Sequence, residues 1–163
     1  MLPGFFATNP PPPERLSVGC AIARMIDGLG YRLYWALEGL TEEDCAYRLT
    51  EGASSIYEII WHELGLVNWV YMHVYGEQMR RPEPILEQGA ETLRALARLR
   101  ETFLAISDDD LAALKLDDAP FWDYVNRPLS DALHHAGQIS ILRRGAGNPV
   151  RPGKSRPRSR DQG

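Results

Sequence analysis

Four separate stretches of this chain place apolar residues at a period close to 3.6, and no stretch of useful length alternates apolar with polar residues. That pattern confines the chain to helices that each bury one face. The first runs from about Ser17 to Glu38 on Val18, Ile22, Met25, Ile26, Leu29 and Leu33. The second spans 54–77 on Ile56, Ile59, Ile60, Leu64, Val67 and Val70. The third runs from Ala90 to Ile106 through Leu93, Leu96, Leu99 and Phe103, and the fourth from about Leu129 to Arg144. Four amphipathic helices in one chain of 163 residues predict an all-α fold, a four-helix bundle of up-down type occupying 17–148.

The punctuation agrees. Ser54 or Ser55 followed by Glu58 makes a capping box ahead of the second helix, and Thr41 with Asp44 does the same for a short turn. Gly39 and Gly76 stand where helices stop. Pro82 and Pro84 interrupt the chain between the second and third helices. Ser107 caps a short helix over Leu111–Leu114. Residues 115–127 read as a loop whose Phe121, Trp122 and Tyr124 fold back onto the core. Residues 1–16, with four consecutive prolines at 10–13, form a leader that packs through Phe5 and Phe6, the less favoured alternative being a proline-rich docking ligand.

Charge narrows the function classes. The net charge is −4, but five basic residues and one acid lie between Gly145 and Gly163, which leaves a body of −8. An acidic body with a basic tail at 149–163 argues against nucleic acid as the partner, since no helix-turn-helix or aromatic-plus-basic module accompanies the tail. Cys20 and Cys45 form neither a disulfide framework nor a C-x-x-C pair, and the expected compartment is the cytoplasm. No apolar run reaches membrane-spanning length, so no membrane is expected.

The chemistry is concentrated in histidines. His134 and His135 stand in S-D-A-L-H-H-A-G-Q-I-S-I-L-R-R, and Asp131 precedes His135 by four residues, on the same helical face. Gln138 falls near His134. On the second helix, His62 sits beside the inward stripe with Glu58 one turn earlier. Side chains from two facing helices can share one metal ion in a bundle, although a histidine beside an apolar face is more often a hydrogen-bonded rim residue. His73 lies about 16 Å from His62 by helix rise, too far for one ion. Gly137 is expected to permit close helix approach, and Arg143 and Arg144 suit the dipole of their own helix end.

The segment H-A-G-Q-I-x-x-L-R-R followed by A-G-N-P-V, with W-A-L-E-G-L-T-E-E-D and S-I-Y-E-I-I-W-H-E-L upstream, resembles the DinB/YfiT-like proteins. The resemblance covers roughly 17–150. It implies a four-helix-bundle metalloprotein in which His62 and His135 are ligands. The third ligand position, usually histidine in that family, is Asp131 here, with His134 the less favoured substitute. Two imidazoles and a carboxylate suit zinc, nickel, iron or manganese with positions left open. The resemblance further implies a homodimer and a metal-dependent hydrolase or thiol transferase acting on a small molecule. Glu58 is the candidate general base. The alternative is a non-catalytic scaffold or stress-associated dimerisation protein with a vestigial metal site.

Overall fold

The computed structural model describes residues 1–115 and 117–151, so the basic tail from 152 onward lies outside the described residues. The described residues are all-α, with no strand among them. A 3-10 turn (Gly4–Ala7) precedes α1 (Val18–Leu37), α2 (Glu42–Cys45), α3 (Ile56–Tyr75), α4 (Ile85–Ala105), α5 (Asp108–Ala113) and α6 (Trp122–Tyr124). A π turn (Val125–Leu129) then leads into α7 (Ser130–Gly145). None of the described helices is long and apolar enough to cross a membrane.

Local chemistry explains most of the boundaries. Ser55 Oγ accepts from the Glu58 amide while the Glu58 carboxylate accepts from the Ser55 amide, and Thr41 and Asp44 repeat the exchange at α2. Gly76 ends α3 at φ +72°, a left-handed conformation that disfavours side chains. Two stretches differ from expectation. Helix α4 begins at Ile85, five residues early, because Pro84 serves as its N-cap and needs no amide there. Helix α7 begins at Ser130, as expected, but part of the expected loop over 115–127 is helical, since α6 and the π turn lead into it from Trp122. Pro128 lacks an amide, and the chain accommodates it in the π turn, where the Ser130 hydroxyl donates to the Val125 carbonyl at 2.8 Å.

The four long helices share one core, centred on Ile26, Leu29, Leu33, Ile60, Leu64, Leu93 and Leu96. Helix α1 packs on α4 and α7, and α3 packs on the same two helices. Their directions do not alternate. Arg100 pairs with Asp27 and Leu37 lies over Gly89, so α1 and α4 are antiparallel. Tyr75 bonds Thr102 and Arg98 bonds Tyr71, so α3 and α4 run the same way. The connection makes this possible by doubling back along α3. The Met79 amide bonds the Asn68 side chain, and the Arg81 guanidinium lies 5.0 Å over the Trp61 ring. Helix α7 is antiparallel to α3 and parallel to α1. Simple alternation, the up-down expectation, is therefore replaced by the order up, down, down, up.

Two further features frame the site. Phe6 is fully buried, seated where a Cβ on Gly30 would come within 2.5 Å of its ring. Trp35 donates to the Ala7 carbonyl and Arg24 to the Pro10 carbonyl, so the leader is strapped to α1. At the opposite end of the chain, buried Arg143 caps another helix rather than its own. Its Nη1 donates to the carbonyls of Trp35, Ala36 and Glu38 at 2.9–3.0 Å, and Asn148 completes the clasp to Gly39 and Asp44. The carbonyls that α1 leaves unpaired at its C-terminus are thereby satisfied.

Candidate functional site

The capping box fixes where α3 begins, and His62 follows Glu58 by one turn on the same exposed strip. Across the cleft, α7 presents His135, half-buried. The two imidazole centroids are 4.9 Å apart with rings at 85°, an edge-to-face arrangement. Both rings, with Gln138, Glu58, Ile141 and Leu142, line an open cavity of about 350 Å³.

His135 is oriented by its own helix. Its Nδ1 lies 2.7 Å from Gln138 Oε1, and Gln138 Nε2 lies 3.0 Å from His134 Nε2. Glu58 carries a different burden. Its Oε2 accepts from the Ser55 amide at 2.7 Å and the Ser55 hydroxyl at 2.9 Å, and lies 3.6 Å from Arg48 Nη2. The hydrogen bond from the Ser55 backbone, reinforced by the Ser55 side chain and by Arg48, holds this carboxyl below its usual range. A carboxylate so stabilised is a weak proton acceptor, which tells against its use as a general base.

Asp131 is exposed and does not line the cavity. The antiparallel register explains this. One turn back from His135 along α7 corresponds to one turn forward along α3, where Leu66 and Val67 meet Leu129 and Ala132. Among the described residues, no three His, Cys, Asp or Glu side chains are grouped to hold a metal ion. The fit to a divalent ion is thus partial. Two imidazole donors are together, and the expected carboxylate is not beside them. His134 is exposed and engaged by Gln138. Gly137 faces open space, so the close approach expected there does not occur.

His73 is far from this cleft and differently surrounded. Its Nδ1 lies 2.7 Å from the Trp69 carbonyl and its Nε2 3.0 Å from Asp117 Oδ1. Both neighbours are acceptors, which favours a proton on each ring nitrogen. Burial disfavours that charge, but the Trp69 carbonyl and the Asp117 carboxylate outweigh it and raise the pKa.

Sequence reasoning missed Glu63. It is 1% exposed on the inner side of α3, and neither carboxylate oxygen has a hydrogen-bond partner. Burial disfavours the charged form and pushes its pKa well up. Its signal was in the chain, since position 63 continues the stripe of Ile56, Ile59 and Ile60. Cys20 and Cys45 are both buried, and burial pushes the Cys45 thiol up to about 11. Compared with known protein families, with curated proteins and with solved structures, the chain matches none.

Proposed function

We propose that the chain is a DinB-type four-helix-bundle protein that takes a divalent metal ion between α3 and α7, at His62 and His135. The observation that carries this reading is the meeting of two imidazoles from separate helices on the wall of one cavity. The third ligand that the resemblance implies, Asp131, lies one turn before His135 on α7 but outside the cavity, so it would have to turn inward to close the set. Zinc, nickel, iron and manganese all accept such donors. An ion there would polarise an electrophile and acidify bound water, the chemistry of a hydrolase or a thiol transferase acting on a small molecule. The protein would be a cytoplasmic homodimer.

The test is metal uptake by untagged protein. Zinc, nickel or manganese should raise the melting temperature of the wild type and leave His62→Ala and His135→Ala unmoved. Asp131→Ala should weaken uptake if the carboxylate closes the set. A wild type that neither retains metal after dialysis nor responds to it would sink the proposal. A second reading, a non-catalytic scaffold, is favoured by two observations. Glu58 is committed to its cap, and Tyr57 and Trp61 on α3 remain 45% and 47% exposed beside His62. It predicts no response to metal and a dimer disrupted by Trp61→Ser.

A further inference from the structure

A neutral imidazole has one N–H and one bare lone pair, and which nitrogen holds which decides what the ring can do. The neighbours of His135 decide it. Gln138 Oε1, 2.7 Å from His135 Nδ1, can only accept, so Nδ1 carries the proton. The same amide presents its NH₂ to His134 Nε2 at 3.0 Å, and an NH₂ can only donate, so that nitrogen carries the lone pair. The three side chains are therefore coupled. Turning the Gln138 amide over would require His134 to hold its proton on Nε2 and His135 to surrender the one on Nδ1.

From this we infer that Gln138 is a positioning residue, and that with His134 it fixes His135 as the Nδ1–H tautomer with Nε2 bare. Metal-binding histidines are held in this way, with the outer nitrogen donating to an oxygen and the inner one free to bind. The inference deepens the metal reading, and depends on it only where an ion is concerned. It also accounts for His134. That residue is exposed and does not line the cavity, yet it anchors the far end of the amide and so selects which end faces His135. Gln138 itself lines the cavity with His62 and His135, so the amide that holds the ring belongs to the same cleft.

The experiment is nitrogen-15 NMR of the histidine side chains in the metal-free full chain, at about pH 8.5, above the ordinary imidazole range. In the wild type, His135 should carry its proton on Nδ1. Gln138→Leu removes the acceptor, and His135 should pass largely to the Nε2–H form that free imidazole favours. Gln138→Glu keeps an acceptor oxygen and should restore Nδ1–H. Helical content and melting temperature of both variants should match the wild type, because Gln138 lies at the rim. Zinc affinity, titrated with zinc alone, should fall about 10- to 100-fold in Gln138→Leu and recover in Gln138→Glu. An Nε2–H His135 in the wild type, or a tautomer indifferent to Gln138→Leu, would overturn the inference. Failure of the wild type to take up zinc while the tautomers behave as expected would remove the ion and leave the orienting contact supported.

Discussion

The seam between α1 and α4 and the cleft between α3 and α7 belong to one core but are built for different ends. Along the first, Asp27 is fully buried and bonded by Arg100 at 2.5 Å and Arg24 at 3.2 Å, and Leu37 closes over Gly89. The buried carboxylate there is committed to two guanidinium groups. Along the second, two imidazoles meet edge to face on the wall of an open cavity, one tied at a single nitrogen and neither paired with a carboxylate. Helix α3 shows the contrast within itself. His73 near its end is saturated by two acceptors, whereas His62 nearer its start is left beside a cavity. Histidine near an apolar face is thus no guide to chemistry until its acceptors are counted.

The largest test of this contrast is Asp27→Ala. It leaves the nearly buried Arg100 without its main partner and should cost about 3 kcal/mol in urea unfolding. Adding Arg100→Met should recover most of that loss, since an apolar pair replaces an ion pair. Neither change should alter zinc uptake. His62→Ala and His135→Ala should do the reverse, with stability within about 0.5 kcal/mol of the wild type and the response to zinc gone. Equal losses of stability in both regions would erase the distinction.

Glu63→Met comes next and should stabilise the protein by about 1–3 kcal/mol at neutral pH, because it removes an unpartnered buried carboxyl. The sign of the pH dependence follows. The unfolded chain releases this proton near about pH 4.3, while the folded chain retains it to higher pH. Stability of the wild type therefore falls as pH rises through that interval, and the variant should lack this fall. A denaturation series from pH 4 upward checks it.

The smallest effect is expected at His73. Its folded pKa is raised, so its contribution is complete below about pH 6.5 and declines as pH rises through the folded value. Asp117→Asn should flatten that decline, seen as a melting midpoint less dependent on pH above about 6.5. An unchanged slope would mean that the Asp117 contact does not hold the proton.

Much of this was legible in the chain. The helix stripes, both capping boxes and the stops at Gly39 and Gly76 follow from local periodicity and motif, while the pairing of His62 with His135 was an expectation from the family resemblance. What was hidden depends on partners distant in sequence. The direction of α4 is set by contacts that fold 76–84 back along α3. Asp131 shares a face with His135, but the register of α7 against α3 carries it past the cavity. Arg143 looks like an ordinary cation at a helix end, and its three carbonyl acceptors lie over a hundred positions earlier. The helical turns over Trp122–Leu129 ahead of α7 were obscured by Pro128, which reads as a breaker until a wider turn absorbs it.

The seat of Phe6 against Gly30 has a practical consequence for anyone shortening this protein. The hydrophobic periodicity begins near Ser17, which makes that residue an inviting place to start a trimmed version. Such a version would lose the ring that fills the notch on α1, together with the backbone oxygens that quench Trp35 and Arg24. A wet furrow would run along the helix in their place. Fusion partners and purification handles at this end are best joined ahead of Phe6, leaving that aromatic plug in its socket.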